Sequence, residues 1–179
     1  MATAPAPQQR YDRIASRFGI MFFDDPAAAF ANMVRWLAPG GRFAFAVWGR
    51  PADNPWMSCV RNVTAEHLDL PPLDQQAPGP FRYGDAGTLL ALLEAAGFCD
   101  VAVRDWRGLL PIGGKLSAPE AASFALAAFV TFGELLAAAG NATFDDAHRV
   151  LTARFAEHEK DGAVRMDACV HIITGANKE

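Results

Sequence analysis

The sequence has little that would bind nucleic acid or build a disulfide framework. Its 16 basic residues are scattered among 20 acidic ones, the formal net charge is -4, and no basic stripe could follow a phosphate backbone. Cys59, Cys99 and Cys169 are odd in number and have no CxxC spacing. We therefore expect no nucleic-acid partner, no disulfide, no metal site and a reducing, cytoplasmic location.

Signals for export or membrane insertion are also missing. Residues 1–10 contain neither the basic segment nor the apolar segment of a secretory signal, and we predict a disordered tail there. The uncharged stretch 121–133 is too short to cross a bilayer core of about 30 Å, so no membrane span is predicted. With 51% apolar and 20% charged residues, residues 11–179 are predicted to fold as one domain.

Apolar periodicity predicts alternating strands and helices in the first part of the chain. Residues 11–23 (Tyr11 to Phe23) are predicted to be a strand. Asp25 before Pro26 caps an amphipathic helix that ends at Pro39, and the apolar run 42–48 is typical of a strand buried on both faces. Strand, helix and strand make a right-handed βαβ unit.

The middle of the chain is less regular. The proline-rich segment 49–83 is predicted to be a loop or lid with one short helix from Asn54 toward His67. Asp85 then caps a helix that Gly97 closes in a left-handed conformation, and 101–110 is a third strand, which predicts a second βαβ unit.

Two helices and a last strand are predicted for the C-terminal part. The helices cover 119–139 and 143–159, and the strand covers 163–174. Because the first of these helices (Pro119 to Ala139) is apolar nearly all round, it must be buried or lie at an interface.

The order of these pieces resembles a known family. The segments SRFGIMFFDDPAAAFANMVRWLAPGGRFAFAVWG, NPWM and GPFRYGDAGTLLALLEAAGFCDVAV resemble the C-terminal half of class I S-adenosylmethionine-dependent methyltransferases of the methyltransferase type 11 group. The resemblance implies an α/β, Rossmann-like sheet built from the equivalents of strands 4, 5, 6 and 7, with flanking helices and a helical lid segment. The family order is 3-2-1-4-5-7-6, with strand 7 antiparallel.

The family's cofactor motif has no counterpart here. Such folds hold the cofactor with a glycine-rich turn after strand 1 and an acidic residue after strand 2. None of the 15 glycines is followed by another two positions later, and no segment matches strands 1 to 3. The resemblance therefore implies S-adenosylmethionine as cofactor, in a chain that is truncated and incomplete or inactive in isolation.

The resemblance also implies a few cofactor contacts. Ser16, Arg17 and Phe18 match the exit of strand 4, beside the methionine end of the cofactor. The alternative interpretation makes Phe18 a core residue and Arg17 a solvated or interface charge.

Substrate contacts are implied for a second group of residues. Asn54, Trp56 and Met57 match a segment over the substrate entrance, and Trp48 ends a strand at the carboxyl edge where ligands of open α/β sheets lie. The alternative is that the Asn-Pro pair starts a turn and both tryptophans are packing aromatics.

The histidines suggest no site. No two of the four are spaced as metal ligands with a carboxylate or thiolate beside them, and each is interpreted as solvated or hydrogen-bonded. No GxSxG elbow is present.

Three functions remain open. The chain is a methyltransferase-like protein for a small molecule whose strands 1 to 3 come from a separate chain, a non-catalytic oligomerising or regulatory module, or a small-molecule binding protein. With strand 4 left as an edge, we expect a homodimer through 11–23 and the helix at 119–139.

Overall fold

The computed structural model describes residues 4, 5, 7–74 and 76–178. Its elements are six α-helices and five strands over those residues, namely β1 (Tyr11–Arg17), α1 (Pro26–Trp36), β2 (Leu37–Trp48), α2 (Pro55–His67), α3 (Ala86–Ala96), β3 (Phe98–Pro111), α4 (Ala118–Ala128), α5 (Val130–Ala138), α6 (Asn141–Ala156), β4 (Glu159–Lys160) and β5 (Ala163–Asn177). Residues 1–3 and 6 of the predicted tail lie outside the described residues. Ala4 is described, and its carbonyl accepts a hydrogen bond from Asn32 Nδ2 at 2.7 Å.

The chain forms two compact units. The first contains residues 1–50, 74–106 and 169–179, and the second contains 51–73 and 107–168. The single domain stays a prediction, and the two units are described separately below.

The first unit begins with the predicted βαβ unit. Asp25 accepts a hydrogen bond from the Ala28 backbone N–H at 3.0 Å, and Pro26 occupies the first helical turn, as the sequence indicates. β1 and β2 are parallel, with Ile14 opposite Phe43 and Ser16 opposite Phe45. The cap therefore fixes the start of α1, and after this helix β2 lies directly beside β1.

Two boundaries of this βαβ unit differ from prediction. β1 ends at Arg17 rather than Phe23, because Phe18 adopts a φ of 58° and a 3-10 turn follows at Ile20–Phe22. β2 already begins at Leu37, where the predicted helix continued to Pro39. Leu37 has a ψ of 138°, so α1 ends at Trp36, before the chain reaches Pro39 and Gly40.

The sheet order confirms the expected fold class. The strands lie in the order β1-β2-β5-β3, with β5 antiparallel to β2. This is the 4-5-7-6 segment of the family order, so β5 separates β2 from β3, and the α/β Rossmann-like fold is confirmed. Because β5 lies between them, β2 and β3 of the predicted second βαβ unit are not direct neighbours in the sheet.

α3 matches its prediction closely. Asp85 caps its start by accepting a hydrogen bond from the Gly87 N–H at 3.1 Å. Gly97 ends it with a φ of 108°, a conformation that strains residues with a Cβ.

Aromatic residues dominate the core of the first unit. Phe43 stacks on Phe45 with ring centroids 4.6 Å apart, and Phe98 packs edge-on against Phe43 at 4.6 Å. Phe30 from α1 and Leu89 from α3 have no exposed surface and close the helix side of this core. Inward-facing residues of β2 therefore pack against both helices.

The second unit is mostly helical. α2 runs from Pro55 to His67, which confirms the helix predicted from Asn54 toward His67 in this irregular segment. The helix predicted for 119–139 is two helices, α4 and α5, bent by 96°. Phe129 breaks it with a non-helical ψ of 66°, and its ring lies 5.4 Å from that of Trp56.

The end of the second unit also differs from prediction. α6 ends at Ala156, and Glu159 lies in the short strand β4, which pairs with the start of β5. The last strand is confirmed and extends to Asn177. Among the described residues no single helix is long and apolar enough to cross a membrane, although the bent pair α4 and α5 together meets that length and composition.

Candidate functional site

The predicted cofactor residues lie together at the carboxyl end of β1. Ser16 is half-buried, Arg17 is exposed, and Phe18 is the first residue after the strand. The Phe18 N–H donates to the Ala46 carbonyl at 2.9 Å, which continues the pairing with β2 one residue further. The positive φ of Phe18 is rare for a bulky residue and costs roughly 1–3 kcal/mol, so surrounding contacts must maintain it.

Trp48 provides one of those contacts. Its ring stacks on Phe18 with centroids 4.1 Å apart and planes within 7°. Sequence reasoning assigned these two residues to different ligands, Phe18 to the cofactor and Trp48 to the substrate. The structure brings them together as one aromatic platform where two parallel strands end, and this edge is where open α/β sheets bind ligands.

The other predicted substrate residues belong to the second unit. Asn54, Trp56 and Met57 form the start of α2 and are 0%, 7% and 3% exposed. The Met57 N–H donates to the Asn54 carbonyl at 3.2 Å, and the Trp56 ring packs against Phe129. Their packing agrees with the turn-and-core alternative, while their role towards substrate stays a prediction.

A neighbouring face of α2 lines a pocket that sequence reasoning missed. This pocket of about 330 Å³ includes Pro55, Ser58 and Cys59, with Arg154 from α6. Burial raises the pKa of the Cys59 thiol, and the nearby Arg154 guanidinium opposes that shift only partly. The thiol is therefore protonated at neutral pH and lines the pocket as a small, nearly apolar group.

Three of the four histidines, His67, His148 and His171, have hydrogen-bonded side chains, and His158 is exposed. His67 joins Asp146 through Nε2 at 2.9 Å, and its Nδ1 lies 2.9 Å from the Val63 carbonyl. His148 Nε2 lies 2.8 Å from Ser123 Oγ, which links α6 to α4 within the second unit.

His171 belongs to a cluster that the sequence did not reveal. Its Nδ1 lies 2.6 Å from Asp105 Oδ1, its Nε2 lies 3.1 Å from the Gly84 carbonyl, and Cys169 is beside it. The spacing of Cys169 and His171 by two positions in a strand puts both side chains on one face. Asp105, 64 residues before Cys169, could be assigned only once the strand order was known.

Comparison with known proteins agrees with the fold. Residues 1–45 match the family model of a methyltransferase domain. A candidate methyltransferase of an antibiotic biosynthesis pathway from Anabaena variabilis aligns with 96% of this chain and 69% of its own, at 16% identity and a TM-score of 0.56. No curated protein gives a match.

Two Bacillus structures give similar alignments. The YcgJ protein of Bacillus subtilis aligns at 15% identity and a TM-score of 0.53, over 99% of this chain and 68% of its own. A candidate methyltransferase from Bacillus halodurans aligns at 12% identity and a TM-score of 0.51, over 99% of this chain and 69% of its own. The chain therefore has the fold of the class I methyltransferases, which confirms the resemblance drawn from its motifs.

Proposed function

We propose that this chain is a methyltransferase-like protein that acts on a small molecule, with S-adenosylmethionine facing the carboxyl ends of β1 and β2. The observation that carries the proposal is the stacked pair Phe18 and Trp48, whose contact maintains the positive φ of Phe18. Ser16 and Arg17, the last two residues of β1 before Phe18, add a hydroxyl and a positive charge to this end of the strand. An aromatic surface with a few polar groups suits a small organic ligand.

The residues present fit one end of S-adenosylmethionine only. Ser16 and the adjacent backbone can contact its amino-acid end, whereas the 179 residues hold no GxG turn for the other end. When bound, the cofactor would supply a methyl group on a sulfonium. Transfer depends on holding donor and acceptor in line, so we propose that the isolated chain is inactive and binds the cofactor weakly.

Chemical-shift mapping tests where such a weak ligand lies. We expect S-adenosylhomocysteine to shift the backbone signals of Ser16, Arg17 and Phe18 and the indole signal of Trp48. Trp48→Leu should abolish these shifts, and Trp106→Leu, which replaces an exposed tryptophan on β3, should retain them. Shifts confined to α2 and its pocket would overturn this placement and favour a separate small-molecule site.

We propose further that β1 pairs with β1 of a second copy, and the aromatic helix pair α4 and α5 adds to this homodimer. β1 is the terminal strand of the order, and Tyr11 is 52% exposed. An antiparallel pairing that sets Ile14 opposite Ala15 of the second copy also sets Asp12 opposite Arg17 at both ends. Opposite charges directly across such a pair are stabilising, so the strand is complementary to itself.

Light scattering after size exclusion tests the dimer. We expect a mass near twice 19.2 kDa for the parent chain, and Asp12→Arg should shift the population towards monomer. Adding Arg17→Asp to that variant should restore the dimer, since the charges are then exchanged. A parent mass near 19.2 kDa, or no rescue in the double variant, would contradict the proposal; a heteromeric partner supplying strands 1 to 3 would then be the alternative.

We also propose a reducing, cytoplasmic location. Cys59, Cys99 and Cys169 form no disulfide with one another in the described structure. Thiols persist where glutathione and thioredoxin keep them reduced.

A further inference from the structure

Three side chains with metal-binding atoms converge in the first unit. His171 Nδ1, Cys169 Sγ and an Asp105 carboxylate oxygen all lie within 4.8 Å of one another. Cys169 Sγ is 4.0 Å from Asp105 Oδ2, and His171 Nδ1 is 2.6 Å from Asp105 Oδ1. Ligand atoms of a tetrahedral zinc site lie about 3.3 to 3.6 Å apart, given bonds of roughly 2.0 to 2.3 Å, so shifts of about 1 Å or less would suffice.

The orientation of His171 suits a metal ligand. Its Nε2 lies 3.1 Å from the Gly84 carbonyl, which can accept only from an Nε2–H. With Nε2–H donated to Gly84, Nδ1 is the ring atom left for a cation, which would displace the proton that Nδ1 shares with Asp105 Oδ1. Histidines bound to metals almost always donate the other ring N–H to a carbonyl or carboxylate, which fixes the ring.

The strands hold these three side chains in a partly buried position. His171 pairs in register with Val47, so its side chain lies on the same sheet face as the core residues of β2. His171 is 7% exposed and Cys169 has no exposed surface. Asp105 is the exposed member, at 39% of its side chain, so the cluster is open to solvent on that side.

The backbone of Gly49 packs directly against the Cys169 thiol. The Gly49 N–H donates to the Cys169 carbonyl at 2.9 Å, and a Cβ on Gly49 would lie 2.7 Å from Cys169 Sγ. Only glycine therefore leaves the sulfur in its present place at the end of β2.

We propose that Asp105, Cys169 and His171 bind a divalent cation of the zinc type, with solvent or a substrate atom as the fourth ligand. One thiolate, one carboxylate and one neutral imidazole balance the charge of such an ion. A mixed sulfur, nitrogen and oxygen set favours zinc over magnesium or calcium, which take oxygen ligands. Three protein ligands with one open position are typical of catalytic rather than structural zinc.

Cobalt(II) is the probe for this site, because a cobalt–thiolate bond absorbs in the near ultraviolet. The full chain, treated with chelator and then dialysed under reducing conditions, is titrated with Co²⁺. We expect a charge-transfer band that saturates at one equivalent and disappears when Zn²⁺ is added. Absence of the band would overturn the proposal and leave His171 and Asp105 as an ordinary hydrogen-bonded pair.

Variants assign the ligands. Cys169→Ser should remove the band, and Cys99→Ser, the matched control on β3, should retain it. Asp105→Asn replaces an exposed group, so the variant should fold, and we expect its Co²⁺ affinity to fall at least about tenfold. A band that survives in Cys169→Ser, or unchanged affinity in Asp105→Asn, would refute this assignment.

Discussion

Helix starts coincide with local signals in both units, since Ser117 and Glu120 form a capping box at α4, but the break inside the second unit does not. In the first unit the helix starts coincide with local signals, such as Asp25 before α1 and Asp85 before α3. In the second unit the break between α4 and α5 has no proline or glycine at Phe129, and the ring of that residue packs on Trp56. Local caps can be recognised from sequence, whereas a break that depends on a distant contact cannot.

The largest expected effect concerns the aromatic core of the first unit. Phe45→Ala should lower the free energy of unfolding by about 3–5 kcal/mol, because it opens a cavity between Phe43 and Phe30. Phe124→Ala is the matched change in the second unit, where Phe124 is 42% exposed, and it should cost about 1 kcal/mol or less. Urea denaturation measures both, and equal losses would contradict this contrast.

A smaller effect is expected at the end of α3. Gly97→Val should cost about 1–2 kcal/mol, because Gly97 has a φ of 108° and valine resists that conformation. Gly87→Ala, in the first turn of the same helix, should be neutral or stabilising, since its Cβ meets only ordinary contacts with Asp85. Thermal melting compares them, and a Gly97→Val variant that melts with the parent would show that α3 ends elsewhere.

The smallest effect is a pH dependence in the second unit. The hydrogen bond to Asp146 and then that to the Val63 carbonyl raise the pKa of His67, and His67 and Arg149 lower the pKa of Asp146. The contribution of His67 is thus complete below its ordinary pKa and lost as pH rises through the raised value. That of Asp146 is complete above its ordinary pKa and lost as pH falls through the lowered value.

Melting of His67→Gln at two pH values measures this contribution. The difference in melting temperature from the parent should be larger near about pH 5.5 than near about pH 9, where the imidazole is neutral. His158→Gln, a change at an exposed histidine, is the matched control for the loss of an imidazole. A difference in melting temperature between His67→Gln and the parent that is larger at high pH would contradict this pH dependence.

Much of the fold could be predicted because its signals are local. The N-cap and proline before α1, the glycine after α3 and the apolar run of β2 each act within a few residues. β1 was predicted too long, because nothing in FGIMFF marks the positive φ of Phe18, which is maintained by stacking on Trp48. A contact with a residue 30 positions away leaves no local pattern.

The candidate sites show the same limit more strongly. The carboxyl edge of β1 is predicted as a cofactor site by resemblance, but the stacking of Phe18 with Trp48 needed the register of two strands. Asp105 and His171 meet only because β5 lies between β2 and β3. Spacing rules for metal ligands examine one segment at a time, so they did not detect a cluster assembled from two strands.

Calorimetric titration of the purified chain with S-adenosylmethionine tests the central claim that this fold holds only one end of the cofactor. We predict a dissociation constant no better than millimolar, equivalent to about 4 kcal/mol of binding free energy, with Trp48→Leu weaker still. S-adenosylhomocysteine should behave in the same way, because both share the end for which no glycine turn is present. A dissociation constant below about 10 µM, or roughly 7 kcal/mol, would contradict the account.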